Sequence, residues 1–530
     1  MLLRGEPWHC PVTPAEATPV VTPSAARASR STGKALRLPH PSGRTLIVAV
    51  IALATLAMQL SAYPNHDVSW VLWGADRMLA GAKWGVDIIE PNPPLAWFLA
   101  MPSAWVARIG GFPIAATYQV MVCVAAIASV VTFDRLLHAR LPTLISALFL
   151  LVFAYRDFGQ REHLMLIAAL PYIALTTARL RGDAQPSRGF SIVIGLVAGI
   201  GFALKPYFLA APLCVEAVVL LRERRWTAIL RPETLAIGAF AVVYGAFCIA
   251  FMWDYIATVI PLARSIYWSF DVPSSGLILP LVIPIVCLGL TGAASFRRAD
   301  ALPSLMCAAS VGFMVSFWIQ HKGYSYHLLP VAAGAAISLG AALESRYVAK
   351  RLLLLAQILL ALTLLQSLTA TIHWWRDFRS DGRHAIEQDR LIAAVNRYAS
   401  GGKFLVVAVH PYPAFPTALY VNSSQVSRTN SQWFLPAIVE LRSNLGHQRR
   451  DALLAAERNA RAFILHDLMR KPDLILIDRN SARHTMTRSD FDFLAFYRED
   501  ARFRKAWAPY REIDGVYGYR LFVRKRGQEQ

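Results

Sequence analysis

Residues 143–178 read TLISALFLLVFAYRDFGQREHLMLIAALPYIALTTA. Two apolar runs flank the nine residues from Tyr155 to His163, six of which are polar. Ionisable groups at membrane depth are costly, and such a dense polar wedge between two candidate spans is unusual for a plain connection. It is either part of a functional site or a set of local ion pairs at a loop.

The rest of the chain supports a membrane reading. Its 530 residues are 55% hydrophobic and only 17% charged, with a mean hydropathy of +0.40. A soluble single-domain enzyme of this size is not so apolar. The basic excess is 54 − 34 = +20. In an apolar chain that excess points to Lys/Arg retained on one membrane side, and not to nucleic-acid binding. Five of the six cysteines (Cys123, Cys214, Cys248, Cys287, Cys307) lie in apolar runs and only Cys10 does not. No disulfide framework or CxxC metal pattern is present.

A helix needs about 20 residues to cross the hydrocarbon. On that measure spans are expected near 45–62, 112–133, 143–156, 164–178, 190–204, 207–221, 234–253, 276–294, 301–319, 328–345 and 351–371. That makes about 11, with the pair around Lys205 open to a re-entrant reading. Lys/Arg in the short loops and N-terminal tail divide about 20 against eight between the two sides, which favours an N-in, C-out arrangement. Three regions follow: a Pro/Ser/Thr/Arg-rich disordered tail at 1–43, an all-α polytopic membrane domain at 44–371, and an extracytoplasmic domain at 372–530. The last combines strand-like Lys403–Val409 and Asp473–Asp478 with a helix-like run from Arg450 to Arg470, so a small α/β module is expected.

The outer loops hold the chemistry. Residues 63–111 carry Trp70, Trp73, Trp84, Trp97 and Trp105, and are expected to lie as amphipathic helices in the membrane interface. Asp67, just after the first span, can act as general base toward an acceptor hydroxyl; the competing reading is an N-cap for a helix beginning at Val68. Asp157 or Glu162 can supply a second carboxylate, and Arg156 and Arg161 can neutralise a phosphate. Lys205, Arg264 and the run Gln320 to His327, which includes Lys322 and Tyr326, fall on the same side. Cations there suit a lipid phosphate acting as leaving group; snorkelling at a span end is the alternative for Lys205 and Lys322. The run His410 to Pro416 is either a rigid turn packing on the membrane domain or a glycan-stacking segment using Tyr412 and Phe415.

An early acid after the first span, Pro93-Pro94-Leu95, an acid in the second outer loop, and Lys322-x-x-x-Tyr326-His327-x-x-Pro330 occur in that order. Over about residues 45–345 the set resembles the polyprenyl-phosphate-sugar-dependent type C glycosyltransferases, with the protein O-mannosyltransferases and the aminoarabinose transferases of lipid A as the nearest branches. The resemblance implies that Asp67 is the first-loop catalytic acid, that Glu162 is the second-loop carboxylate, with Asp157 as the alternative, and that Lys322 and His327 belong to the late basic element near the donor phosphate. Where the family often has a lysine before the two prolines this chain has Asn92, and Lys83 can compensate.

The expected function is transfer of a sugar from a polyprenyl-phosphate donor to an envelope glycan, lipid or protein on the outer face, with inversion. Phosphate binding would fall to Lys322, His327, Lys205, Arg161 and Arg264, and substrate positioning to His66, Lys83, Pro93, Pro94 and Tyr326. No cofactor is expected. His66 with Asp67, or Glu162 with His163, can still hold a divalent metal. The Arg- and Ala-rich composition favours a bacterial inner membrane, with the site facing the periplasm. The rival is a transporter or flippase of envelope lipids, which would show paired broken helices in two related halves. No such symmetry is visible.

Overall fold

The computed structural model describes residues 43–530 except 184–185, 296–299, 444–449, 481–482, 484, 487–489 and 526–530. The expected disordered tail, and with it Cys10, lies outside the described residues, as do Arg297 and Arg298. Residues 43–530 form one compact unit.

Its first part is helical: α1 (Gly43–Leu60), α2 (His66–Leu79), α3 (Leu95–Gly110), α4 (Ile114–Leu137), α5 (Arg140–Ala147, continued by a π turn at Leu148–Val152), α6 (Arg161–Arg181), α7 (Arg188–Ala203), α8 (Ala210–Glu223), α9 (Pro232–Phe251), α10 (Ile260–Ile266), α11 (Ser274–Ser295), α12 (Leu302–Gln320), α13 (Ser325–Glu344) and α14 (Lys350–Phe378). Each of the 11 expected apolar segments contains helix. Among the described residues, eight helices (α1, α4, α6, α9, α11, α12, α13 and α14) are long and apolar enough to cross a bilayer by themselves. The other three, α5, α7 and α8, are shorter. At 1.5 Å per residue the 16 residues of α7 reach only about 24 Å, less than the roughly 30 Å of hydrocarbon.

Small residues let these helices approach. Gly195 and Gly199 of α7 lie against α9, where a Cβ on Gly195 would run into the Glu233 backbone. This is the close packing that replaces hydrophobic drive inside a membrane.

The first long loop forms two helices, α2 and α3, and most of its tryptophans turn into protein. Trp70, Trp73, Trp84 and Trp97 are all buried, and of the five tryptophans only Trp105 is exposed. Trp84 and Trp97 pack on each other with ring centroids 4.6 Å apart, whereas over Trp70 and Trp73 the cover is a roof of protein. Phe415, fully buried, sets its ring 5.2 Å from Trp70 and 5.5 Å from Trp73. The rigid-packing reading of His410–Pro416 therefore describes Phe415, which has no face left for a sugar.

That roof belongs to the C-terminal module: α15 (Arg383–Ala399), β1 (Lys403–Val407), α16 (Ala414–Thr417), β2 (Ser424–Gln425), α17 (Leu435–Ser443), α18 (Arg450–Met469), β3 (Leu474–Asp478), α19 (Phe493–Arg498), α20 (Ala501–Trp507), β4 (Tyr510–Val516) and β5 (Tyr519–Arg524). The sheet order is β2-β1-β3-β5-β4. β1 is parallel to β2 and β3, whereas β5 is antiparallel to β3 and β4. A parallel β1–β3 pair requires a crossover, and α18 lies on it. The module is tied to the first part by Ile89 N donating to Arg428 O at 2.7 Å and by the Trp433 ring edge-on to Tyr267.

Candidate functional site

Asp67 sits in the first turn of α2. Asn65 caps this helix, its Oδ1 accepting from the Asp67 N–H at 2.8 Å. The capping role is therefore filled two residues earlier, and the Asp67 carboxylate stands at the positive end of the helix with its oxygens left for other partners. Gln160 Nε2 donates to it at 3.3 Å, and His66 Nε2 lies 3.7 Å away. Burial pushes its carboxyl up, but His66, Arg161, the Gln160 bond and His410 outweigh this and hold it below the usual carboxylate range.

The polar wedge between α5 and α6 is a built loop. Gly159 takes φ +84°, and a Cβ there would meet the Tyr118 ring at 2.5 Å. Tyr118 donates to Gly159 O at 2.7 Å. His163 accepts from Gly159 N at 3.0 Å with Nδ1 and lies 2.8 Å from Leu150 O with Nε2. Both of its ring nitrogens are thus used on backbone, which removes the expected Glu162–His163 metal pair. Among the described residues no three His, Cys, Asp or Glu side chains come together as a metal set.

The two carboxylates of this loop are buried apart from Asp67. Asp157, 2% exposed, accepts from Ser325 Oγ at 3.2 Å and from Asn65 Nδ2 at 3.4 Å, with Arg156 Nε at 3.5 Å. It ties the start of α13 to the cap of α2. Glu162 accepts from Lys205 Nζ at 2.6 Å and lies 3.4 Å from His327 Nε2. Lys205 also donates to Gln320 Oε1 at 2.8 Å and stands 3.3 Å from His327 Nε2.

Burial pushes the Asp157 carboxyl up to about 7, against the pull of Arg156 and the Ser325 bond. The folded protein then holds a proton that the unfolded chain releases near its ordinary value of 3.8. Stability is expected to fall as pH rises between those values, and Asp157→Asn is expected to flatten the dependence. Thermal unfolding of the two proteins from pH 4 to 8 checks this; parallel curves would refute it.

Two cavities meet at the loop. The first, about 310 Å³, is lined by Asp67, His66, Glu90, Arg156, Arg161 and several amide and aromatic side chains, with His410, Asn430, Ser431 and Trp433 contributed by the C-terminal module. The second, about 390 Å³, is lined by Arg161, Lys205, Arg264, Lys322 and His327, with Pro93 at its edge, and has no carboxylate in its lining. Pro91, Asn92, Arg161, Tyr267, Tyr324 and Tyr326 line both and form the shared wall.

Glu90 is the second carboxylate facing the first cavity, where Asp157 and Glu162 line neither. It is 3% exposed, accepts from Trp70 Nε1 at 2.9 Å and from Asn92 N at 3.1 Å, is also bonded to Asn92 Nδ2, and lies 3.9 Å from Arg161 Nη1. Its place directly before Pro91-Asn92-Pro93-Pro94 was the available signal. Gln320, the first residue of the run read from the sequence, lines the second cavity, and Tyr267 is a further residue there that spacing did not single out. Lys322 donates to Asp271 Oδ1 and to Tyr267 O, both at 2.6 Å, and lies over the Tyr267 ring. Lys83 lines neither cavity, and Pro94 sits at the start of α3.

No protein-family model matches this chain, and no curated protein matches it. Among solved structures, the chain is similar to the crystal structure of ArnT from Cupriavidus metallidurans bound to undecaprenyl phosphate. The TM-score is 0.52 at 12% identity, over 91% of this chain and 97% of that one. At that identity the likeness shows a shared fold.

Proposed function

We propose that this protein is an integral-membrane glycosyltransferase that moves a sugar from a polyprenyl-phosphate donor to an acceptor hydroxyl on the outer face of a bacterial inner membrane, in an N-in, C-out arrangement. The observation that carries the reading is the shared wall between a cavity holding two carboxylates and a cavity whose charged lining is entirely basic. A sugar phosphodiester has this polarity. Its phosphate suits the side lined by Lys205, Lys322, Arg264 and Arg161, and its anomeric carbon would then lie across the wall, toward Asp67. The fold shared with a structure that holds undecaprenyl phosphate supports the same class of ligand.

Phosphate is already a good leaving group, so positive charge at the departing oxygens replaces a general acid. Asp67 takes the proton of the attacking hydroxyl as the new C–O bond forms and the bond to the phosphate oxygen breaks. Attack from the side opposite the phosphate inverts the anomeric centre. The charge of the leaving group is met by side chains, and no metal is required.

The test is transfer by the purified full-length protein in proteoliposomes, from a panel of radiolabelled polyprenyl-phosphate sugars to a crude envelope acceptor, with and without EDTA. Product of inverted configuration, formed equally in both, is expected. No product from any donor would refute the transferase reading, and a retained configuration would refute direct displacement.

A further inference from the structure

The first cavity has a wall that the donor does not need. Val409, His410, Pro411, Asn430, Ser431 and Trp433 close it from the C-terminal module, in two short segments following β1 and β2. We propose that this wall is the acceptor subsite, and that the acceptor is an uncharged glycan which presents one hydroxyl to Asp67 while its ring is held by Asn430, Ser431 and Trp433. The inference rests on the transferase reading and adds to it the class of the acceptor.

Charge is the first argument. The lining of this cavity sets two guanidiniums, Arg156 and Arg161, against two carboxylates, with Arg161 3.9 Å from Glu90. Two carboxylates, Asp67 and Glu90, face the same space. An acceptor phosphate or carboxylate entering here would meet carboxylates with no surplus cation. The lining of the second cavity carries four cations and no carboxylate, although Lys205 and Lys322 are each paired from outside that lining, by Glu162 and Asp271 at 2.6 Å, so the two linings still separate a charged donor from an uncharged acceptor.

Chemical matching is the second. Asn65, Gln160 and Asn430 supply amides, Ser431 a hydroxyl, and Trp433 an indole Nε1–H that is buried without a hydrogen-bond partner. A sugar hydroxyl both donates and accepts, so it can pair with amide and hydroxyl side chains and accept from an indole N–H. Trp433 is pre-positioned, being 3% exposed and edge-on to Tyr267 at 5.9 Å. Ser431 Oγ donates to Asn430 Oδ1 at 3.1 Å, which fixes the amide orientation. His410 Nδ1 accepts from Tyr412 N at 3.0 Å, so a neutral His410 carries its proton on Nε2, and its ring lies 4.4 Å from that of His66 beside Asp67.

In the transfer step the glycan oxygen bonds to the anomeric carbon and its proton passes to Asp67. The electron pair of the broken bond leaves on the donor phosphate. His410, Asn430, Ser431 and Trp433 orient the glycan and set which hydroxyl reaches Asp67.

The experiment separates acceptor binding from donor chemistry. Intrinsic tryptophan fluorescence of the detergent-purified full chain is titrated with methyl α-mannopyranoside, methyl β-galactopyranoside, methyl α-rhamnopyranoside and N,N′-diacetylchitobiose, and with inorganic phosphate and a serine-containing tripeptide amide as contrasts. Undecaprenyl phosphate binding is followed in parallel. Saturable binding of at least one glycoside is expected, weakened about tenfold by Asn430→Ala or Ser431→Ala, which is the loss of one buried hydrogen bond. Undecaprenyl phosphate binding should be unchanged in both variants. His410→Gln gives a third, milder change should either alanine variant fail to fold. The inference is overturned if none of the glycosides saturates, if only phosphate or the tripeptide does, or if no variant alters glycoside affinity. Glycoside binding without undecaprenyl phosphate binding would instead defeat the polyprenyl-phosphate reading and leave the acceptor subsite standing.

Discussion

Asp67→Asn is expected to lower sugar transfer by about 10²–10⁴-fold, the usual worth of a positioned general base, with no loss of fold. The substitution keeps size and shape and removes only the ability to take a proton. Because Asn65 provides the cap of α2, the helix does not depend on the Asp67 side chain. His66, Arg161 and His410 hold the carboxyl below the ordinary carboxylate range. It is therefore ionised at neutral pH, and the acidic limb of the rate profile should lie lower than for a free carboxylate. Initial rates for both proteins, with matched thermal unfolding, are the measurement. Transfer within threefold of the parent would remove Asp67 from the role of base and leave Glu90, across the same cavity, as the carboxylate to substitute next.

Much of this arrangement is legible in the sequence, for identifiable reasons. Continuous apolar runs announce membrane helices because the bilayer demands length and apolarity at once; all 11 runs contain helix here, and among the described residues eight helices are long and apolar enough to cross. What hydropathy does not carry is enclosure. Four of the five first-loop tryptophans look like interface anchors until Phe415, some 340 residues later in the chain, is seen to cover two of them. In the C-terminal module β1 and β3 are legible as apolar runs, whereas β4 at the sheet edge buries only Tyr510 of its seven residues and offers no such run. The candidate site shows the same limit. The density of charge between Tyr155 and His163 is visible, but not which way each side chain turns. The spacing leaves Asp157 and Glu162 open as second carboxylate, and both turn inward, one to brace a loop and one to neutralise Lys205. Glu90, placed in the cavity by its bonds to Trp70 and Asn92, carries no such density around it.

Glu162→Leu is expected to cost about 3–5 kcal/mol of stability, the typical consequence of removing one member of a buried ion pair. Lys205 is 4% exposed and Glu162 1%. Without the carboxylate the ammonium would keep only Gln320 and His327 as partners, neither of which carries a compensating charge. The double variant Glu162→Leu with Lys205→Met should recover most of that loss, since replacing a buried pair by apolar residues of similar size is often neutral. The two substitutions should therefore be strongly non-additive. Activity should not follow stability. Lys205 belongs to the basic lining proposed to meet the donor phosphate, so the double variant is expected to fold and still fail in transfer, with its undecaprenyl phosphate affinity reduced. A cycle of four proteins, each measured for unfolding free energy and for undecaprenyl phosphate binding, decides the matter. Additive stability losses would mean that the 2.6 Å contact contributes little to folding. Full recovery of both stability and binding in the double variant would mean that Lys205 serves only to neutralise Glu162, and the phosphate would then fall to Arg161, Arg264 and Lys322 alone.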